Sequence, residues 1–433
     1  MSATELCLIL GDDVAGTVTR LASGKLAFTY DRTYVAKRGA TTPVSVSMPT
    51  QISSHADSRI TPWLWGLLPD NDAVLNRWSR DFHVSASSPF SLLATPLGED
   101  CPGAVRLIPP DRLTATRDQS DLSDVEWLTE AEVAQRLRDL KKDNTAWLGA
   151  KQGGRFSLAG AQAKTALLRD GGRWGDPHGT TATSHILKPA IEGFDNHDLN
   201  EHLCLSAMRA AGLLAVRTSV ERFEDQTAIV VARYDRVVRD KHQLRLHQED
   251  LCQALGVHPA NKYQNEGGPS PSDIAALFRR VMPRSAARDA TRAFLDALVW
   301  NWVIAGTDAH AKNYSLLLLG NQVRLAPFYD VASALPYDSI PEQKMRLAMK
   351  FGTGYRVSPG SSPWGRLSAD LQLPEEEIRG RAARIVAAAP EAFSIAAADP
   401  AVRGLESSLP RRMTDLVSER AKKCEKYLGW SPG

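Results

Sequence analysis

The stretch TDAHAKNYSLLL, residues 307–318, decides the fold, together with the APFYD segment that ends at Asp330. In the first stretch Asp308 and Asn313 stand five positions apart. The apolar pattern over residues 315–325 turns on a Gly-Asn pair and predicts a β-hairpin. Such a hairpin returns the chain to its starting point, so the three polar side chains are expected to meet at one cleft.

This set of polar groups fits phosphoryl transfer from a magnesium-bound nucleotide. The reaction needs a carboxylate to orient the attacking hydroxyl, and oxygen or amide ligands to hold Mg²⁺ against the phosphates. Protein kinases place an Asp, and an Asn five positions later, in one catalytic loop, with a metal-binding Asp further on. We therefore predict Asp308 as the catalytic residue and Asn313 and Asp330 as metal ligands. Each residue alone is more often a cap or turn residue, and only the joint pattern indicates a kinase.

A lysine and a glutamate supply the second signal. Kinase sites use a strand Lys for the α- and β-phosphates and a helix Glu to hold that Lys. Lys188 ends the strand-like HILK segment, and Glu201 lies on the predicted helix that follows. The alternative is a solvated lysine beside a glutamate that merely favours the start of a helix.

The loop SLAGAQAK, residues 157–164, is the third signal. Its small residues let backbone amides approach phosphate oxygens, and Lys164 adds positive charge. The loop matches neither common phosphate-binding glycine motif, so a flexible surface loop is the alternative. Ser157 is a candidate phosphorylation site, because a phosphate on this loop would repel ATP.

For two further residues the sequence leaves two alternative roles open. His310, two positions after Asp308, either neutralises the transferring phosphate when protonated or serves as a structural hydrogen-bonding group. Tyr234 follows a buried strand and marks a candidate hinge whose backbone binds adenine, although most such tyrosines are packing residues. No H-x-x-x-H spacing occurs among the histidines near these segments, so zinc is not expected.

Composition bounds the function further. The 433 residues are 43% hydrophobic and 24% charged, and 52 basic against 50 acidic side chains leave a net charge of +2. This balance argues against nucleic acid as the main partner. Five separated cysteines without a C-x-x-C pair favour a reducing compartment over a disulfide framework. A poor secretion signal and the lack of a long apolar run predict a cytoplasmic protein without a membrane segment.

The order of predicted elements indicates an α+β, two-lobed protein-kinase-like fold. We expect a β-rich N-terminal subdomain over residues 1–110, with short strands separated by turn residues. Residues 111–245 are expected to form a kinase N-lobe with the phosphate loop. Residues 246–433 are expected to form a mostly helical C-lobe with the catalytic loop.

The chain resembles the HipA family of bacterial toxin Ser/Thr kinases over nearly its whole length. The resemblance is carried, in one order along the chain, by WGLLPDNDAVLNRW, SPFSLLATPLGEDCPGAVRL, SLAGAQAKTALL, HILKPA, NEHLCLSAMRAAGL, VARYDR, HQEDLCQALG, TDAHAKNYSLLL and PFYD. It implies ATP and Mg²⁺ as cofactors and phosphorylation of a translation component, typically an aminoacyl-tRNA synthetase, which arrests growth. It also implies a HipB-like helix-turn-helix antitoxin, with DNA contacted only secondarily through that complex.

The resemblance also assigns roles to residues. Asp308 is the catalytic Asp, Asn313 and Asp330 are the magnesium ligands, Glu201 pairs with the phosphate-binding lysine, and Ser157 matches an inhibitory autophosphorylation serine. The implied ATP-binding residues are Ala159, Gly160, Ala161, Gln162, Lys164, Lys188, Ala232, Tyr234, His310 and Lys312. Glu often stands in this family where this chain has Ala232, but a backbone contact to adenine tolerates that change.

Two other functions compete with a kinase toxin. One is a non-catalytic co-repressor that sits on an antitoxin at an operator. The other is a small-molecule kinase, acting for example on an antibiotic or a sugar, whose Asp–Asn–Asp geometry would be the same. Retained phosphate transfer after loss of Asp308 or Asp330 would contradict the assigned roles.

Overall fold

A computed structural model describes residues 4–37, 42–113, 125–148, 156–178, 181–191, 193–239, 242–337 and 341–429. Within these residues the chain builds an N-terminal sheet with helices, a second, larger sheet, and a helical part that begins after the second sheet. The glycine-rich residues 149–155, which precede the predicted phosphate loop, lie outside the described residues.

The N-terminal part is a five-stranded antiparallel sheet of order β4-β3-β2-β1-β5. Its strands are β1 (Glu5–Leu10), β2 (Asp13–Arg20), β3 (Leu26–Tyr30), β4 (Ser54–Ala56) and β5 (Val105–Ile108). Its helices are α1 (Arg32–Ala36), α2 (Asp57–Gly66), α3 (Asp72–Asp81) and α4 (Pro89–Leu93). The β-rich start predicted from alternating apolar residues is confirmed.

The alternating apolar residues of segment 43–48 also predict a strand, and this prediction is wrong. The segment contributes only an isolated bridge between Ser45 and Met48. Its backbone is held by side chains instead of a ladder: the Tyr30 hydroxyl accepts from Val44 N–H at 2.9 Å and donates to the Met48 carbonyl at 2.6 Å. Glu249 accepts from Val46 N–H at 2.8 Å. Buried side-chain partners satisfy the backbone groups that a neighbouring strand would otherwise satisfy.

The second sheet has six strands in the order β10-β11-β9-β7-β8-β6. The strands are β6 (Val125–Leu128), β7 (Thr165–Asp170), β8 (Arg173–Pro177), β9 (His185–Lys188), β10 (Thr218–Phe223) and β11 (Gln226–Ala232), and α5 (Glu130–Lys142) and α6 (His197–Ala210) accompany them. Thr129, followed three residues later by Glu132, predicts a helix start, which is confirmed by the reciprocal capping box of these residues at α5. Apolar residues spaced by three and four from Leu199 to Leu214 predict a helix over that span, but α6 ends at Ala210 and Leu214 is 54% exposed.

The helical part begins after a hairpin of β12 (Arg236–Arg239) and β13 (His242–Arg245). A three-stranded sheet joins β14 (His247–Asp250), β15 (Ser315–Leu319) and β16 (Gln322–Leu325), and a two-stranded one joins β17 (Arg346–Phe351) and β18 (Gly354–Arg356). The helices are α7 (Leu251–Leu255), α8 (Pro271–Val281), α9 (Arg284–Ile304), α10 (Trp364–Leu371), α11 (Glu375–Ala397), α12 (Pro400–Arg403) and α13 (Leu409–Leu428).

The hairpin predicted from the deciding stretch is confirmed, with Leu319 opposite Gln322 across the turn. Helix α9 leads into it and is buried along most of its length, because α8, α11 and α13 pack around it. The hairpin and α9 thus fix the two ends of the segment that carries Asp308 and Asn313. Among the helices that the structure describes, none is long and apolar enough to span a membrane. The domain limits after residues 110 and 245 stay predictions.

Candidate active site

A cleft lies between the second sheet and the helical part. Its walls include Lys188 from the end of β9 and Asn313 and Asp330 from either side of the β15–β16 hairpin. An adjoining cavity shares these three residues and extends to Asp308. The structure therefore brings the Asp–Asn–Asp set together at one cleft, although the residues flank a hairpin.

Lys188 is the electrostatic centre of this cleft. Its ammonium donates to Glu201 Oε1 at 2.8 Å and also bonds the Asp330 carboxylate. The Lys188 and Glu201 side chains are 5% and 2% exposed. Burial alone would lower the pKa of Lys188, but Asp330 and Glu201 raise it above its ordinary value. The lysine is therefore a fixed cation, and the reading of this pair as a solvated lysine and a helix-start glutamate is wrong.

Asp330 has the properties of a metal ligand. It adopts a left-handed backbone conformation, with φ of 52°. Burial would raise its pKa, but Lys188 and Lys164 hold the pKa of this carboxyl well below its usual range. The side chain is thus an ionised, hard oxygen donor, the type that Mg²⁺ prefers beside phosphates and water.

The catalytic-loop segment is shaped by backbone hydrogen bonds. Asn313 donates its Nδ2 to the carbonyl of Asp308 at 2.8 Å, and His310 N–H donates to the same carbonyl at 2.8 Å. Because the amide nitrogen of Asn313 is engaged in this way, its Oδ1 is the atom left to meet a metal. Asp308 itself is exposed, and its carboxylate accepts from the Tyr263 hydroxyl at 2.5 Å. Asp330 and Asn313 together fit a Mg²⁺ ion that also contacts nucleotide phosphates.

The predicted phosphate loop lines both cavities. Lys164 donates to the Ala159 carbonyl at 2.7 Å and so closes the loop on itself. Gly160 has φ of 101°, and a Cβ there would lie 2.6 Å from Lys164 Nζ, so only glycine allows this closure. Gln162 donates to the Pro189 carbonyl at 3.3 Å, while Ala161 lines the outer cavity. These contacts do not support the alternative of a flexible surface loop.

Lys164 is a titrating group at this site. Burial lowers the pKa of its ammonium to about 8. A bound phosphate favours the charged lysine and raises that pKa again. Binding of a phosphate group here would therefore be coupled to proton uptake by this lysine at slightly alkaline pH.

We expect the affinity for ADP to fall as pH rises from 7 to 9, because the free protein loses the Lys164 charge in this window. Calorimetry at pH 8 in two buffers of different ionisation enthalpy should show proton uptake on binding. The Lys164→Arg variant should lose both effects, since arginine stays charged, whereas Lys25→Arg on an exposed turn should behave as the wild type. A pH-independent affinity in the wild type would contradict the assignment.

The cleft is also lined by Ala232 and Tyr234, the residues predicted to contact adenine. Ala232 N–H donates to the Arg217 carbonyl at 3.0 Å, so a contact from this residue to adenine would use its carbonyl. The Tyr234 ring stacks on Tyr329 with centroids 5.7 Å apart, and its hydroxyl donates to Gln248 at 2.7 Å. The side chain of Tyr234 is thus a packing group, which leaves only its backbone for the predicted hinge role.

His310 does not support the role of a charged phosphate neutraliser. Burial lowers the pKa of its imidazole to about 4, so the ring is neutral near pH 7. The ring meets Tyr263 edge-on, with centroids 4.9 Å apart. A structural role, or hydrogen bonding as a neutral ring, fits this environment better.

Three site residues escaped the sequence reasoning. Tyr263 contacts Asp308, Lys262 lines the outer cavity, and Asp70 from the N-terminal part contacts Lys262 and Lys312. The WGLLPDND motif contributes only to the family resemblance, because a single Asp in a loop does not by itself indicate a chemical role. Its role depends on partners about 190 or more positions away.

Fold and cleft together define a two-lobed, protein-kinase-like protein. A solved structure of Shewanella oneidensis HipA in complex with HipB and operator DNA superimposes with a TM-score of 0.82 at 23% identity and covers 98% of both chains. This match confirms the predicted α+β, two-lobed fold.

Sequence comparisons give the family. Residues 6–108 match the HipA N-terminal domain, and residues 156–393 match the HipA-like C-terminal domain. The protein Y4mE of Sinorhizobium fredii is 32% identical over 94% of this chain and 96% of its own. The serine/threonine-protein kinase toxin HipA of Shewanella oneidensis is 28% identical over 90% of this chain and 88% of its own. The chain belongs to the HipA family, as its motifs indicate.

Proposed function

We propose that this protein is a Mg²⁺-dependent Ser/Thr protein kinase that transfers the γ-phosphate of ATP to a protein substrate. The observation that carries the proposal is the chain of contacts from Glu201 through Lys188 to Asp330, placed beside Asp308 and Asn313 at one cleft. A lysine held by a helix glutamate and a metal-binding aspartate are the parts that kinase catalysis requires. A non-catalytic scaffold has no need of such a buried, mutually compensated charge set.

Each group has a defined task in this proposal. The Lys188 ammonium binds the α- and β-phosphates, while Glu201 keeps it aligned. Asp330 and Asn313 hold Mg²⁺, which neutralises charge on the phosphates when bound. Asp308 accepts the proton of the attacking hydroxyl and orients it in line with the γ-phosphate. The backbone of Ala159–Lys164 encloses the phosphates, and the backbone around Ala232 and Tyr234 meets adenine.

The exposure of Asp308 favours a macromolecular substrate. Its carboxylate lies at the outer cavity and not at the bottom of an enclosed pocket. A hydroxyl on a flexible segment of another protein can reach such a carboxylate without entering the nucleotide cleft. This observation favours the protein kinase over the small-molecule kinase, whose substrate needs an enclosing pocket.

Ser157 is proposed as an inhibitory autophosphorylation site, and its environment sets a condition for that reaction. It is fully buried, its hydroxyl donates to the Leu67 carbonyl, and its N–H donates to the Asp100 carbonyl at 3.0 Å. A phosphate carries nearly two negative charges at neutral pH, and this position has no room or solvent for them. The modified segment must therefore stay out of its observed place, which removes the phosphate loop from the cleft.

The family suggests the biological setting of the proposed activity. The substrate is a translation component, an aminoacyl-tRNA synthetase, whose phosphorylation arrests growth. A HipB-like helix-turn-helix antitoxin restrains the kinase, as the solved complex of the Shewanella oneidensis protein with HipB and operator DNA supports. DNA contact through the antitoxin suits a chain with a net charge of only +2.

Incubation of the purified protein with γ-labelled ATP and Mg²⁺, without any partner, tests the proposal. We expect label on the protein itself, located at Ser157 by peptide mapping, and no label when EDTA removes Mg²⁺. Comparison of phosphopeptides from cells that express the wild type or Asp308→Asn then identifies the substrate. A protein that neither binds ATP nor takes up label would instead be the co-repressor. Growth that is unaffected by expression, with transfer to a small molecule, would support the small-molecule kinase.

A further inference from the structure

The loop that joins α2 to α3 in the N-terminal part reaches into the cleft. Asp70 in this loop lines the cleft, and its side chain is only 12% exposed. The helix that precedes this loop is held by α7, because Gln253 of α7 donates to the carbonyl of Trp63 in α2 at 2.9 Å. A Cβ at Gly66 would lie 2.4 Å from the Gln253 side chain, so the two helices are in close contact. The position of Asp70 is therefore fixed by packing.

Asp70 binds two lysines that come from different segments. Lys312, one residue before Asn313, donates to Asp70 Oδ1 at 2.5 Å, and Lys262 donates to Oδ2 at 3.0 Å. The Lys312 side chain is 2% exposed. A buried ammonium is stable only with a close counter-charge, and among the described residues Asp70 is the one carboxylate bonded to it.

The same loop also touches the phosphate loop. Asp70 N–H donates to the Gly160 carbonyl at 3.1 Å, and the Asn71 side chain donates to the Ala161 carbonyl at 3.2 Å. Pro69 and Gly160 form a parallel β-bridge. One short loop of the N-terminal part thus contacts both the segment that holds the catalytic Asp and the segment that covers the phosphates.

We propose that Asp70 is a positioning residue of the phosphotransfer site, which holds the Lys312 ammonium at the nucleotide phosphates and joins the phosphate loop to the catalytic loop. The inference rests on the proposed function. The N-terminal part is then a component of the active site and not a separate module. Asp250 lines the same cleft and also stabilises the charged form of Lys312, but Asp70 is the carboxylate that bonds both Lys262 and Lys312.

A double-mutant cycle tests this role. ADP affinity in the presence of Mg²⁺ is measured by calorimetry for the full-length wild type, Asp70→Asn, Lys312→Met and the double variant. We expect Asp70→Asn and Lys312→Met each to weaken ADP binding by about tenfold. The double variant should bind within about twofold of Lys312→Met, because residues in direct contact are not additive. Asp70→Glu, which keeps the charge, should recover most of the affinity.

Asp72→Asn is the matched control, because Asp72 is an exposed residue at the start of α3, directly after this loop. It should bind ADP as the wild type does. Normal affinity in Asp70→Asn, or full additivity in the double variant, would overturn the inference. If Asp70→Asn does not fold, the double variant tests the inference instead. It lacks both charges, so its ADP affinity must match that of Lys312→Met. If the wild type binds ADP but transfers no phosphate, the proposed kinase activity is refuted. The ADP affinities of the double-mutant cycle still test the role of Asp70 in that case.

Discussion

Replacing Asp308 by asparagine is expected to lower the rate of phosphate transfer by about 10³-fold or more while leaving ADP affinity within about twofold. The loss is large because an amide cannot accept the proton of the attacking hydroxyl, and positioned proton transfer contributes about 10²–10⁴-fold. Loss of orientation adds to that effect. Transfer from labelled ATP to Ser157 gives the rate, and calorimetry gives the affinity.

The structure explains why this substitution should spare the fold. The backbone carbonyl of Asp308 accepts from Asn313 and His310, and the substitution leaves both of these hydrogen bonds in place. An asparagine can still accept from the Tyr263 hydroxyl through its Oδ1. Asp415→Asn, an exposed change on α13, is the matched control and should retain full activity. Appreciable transfer by Asp308→Asn would remove the proposed catalytic residue.

Local spacing was sufficient to predict the parts of the site that share one segment or one element. Asp308, Asn313 and the hairpin lie within a short span, and the geometry of a hairpin is largely set by its turn. Lys188 was located by the end of a strand, and Glu201 by the helix that follows it. These residues are near neighbours along the chain, so the spacing of apolar residues or a turn residue is enough to predict their relative positions.

Contacts between distant segments cannot be predicted from local spacing in the sequence. Asp70 and Lys312 are 242 positions apart. The residues next to each of them in the sequence do not indicate that the two side chains meet. The burial of Ser157 depends on the Leu67 and Asp100 carbonyls, which belong to the N-terminal part. The neutral state of His310 follows from desolvation by residues of several segments. Such properties arise from packing, so only coordinates reveal them.

A buried charge cluster beside Tyr234, in the segment predicted as the hinge, also depends on contacts between distant segments. Asp100 of the N-terminal part accepts from Arg236 at 2.8 Å, from Arg245 at 3.2 Å and from the Thr183 hydroxyl at 2.8 Å. Arg233 lies 3.4 Å from the same carboxylate. Burial would raise the pKa of Asp100, but the three guanidinium groups hold it well below its ordinary value. The carboxylate is therefore ionised and acts as the shared counter-charge of three arginines.

Asp100→Asn is expected to lower the free energy of unfolding by about 3–5 kcal/mol, because the buried guanidinium groups of Arg233 and Arg236 then share Asp235 as their one remaining bonded carboxylate among the described residues. Urea unfolding followed by tryptophan fluorescence measures this loss. Asp170→Asn, whose partner Arg173 lies 3.8 Å away on an exposed turn, is the control. It should cost less than about 1 kcal/mol.

The pH dependence of stability separates this explanation from a simple packing defect. The pKa of Asp100 is lower in the folded protein than in the unfolded chain, so its contribution is present above about pH 4 and is lost as pH falls further. The wild type and Asp100→Asn should therefore differ most near neutral pH and converge in acid. Because Arg233 and Asp235 flank Tyr234, the variant should also bind ADP more weakly. An unchanged stability at pH 7 would show that the three arginines do not depend on this carboxylate, and that another group holds the N-terminal part against the hinge.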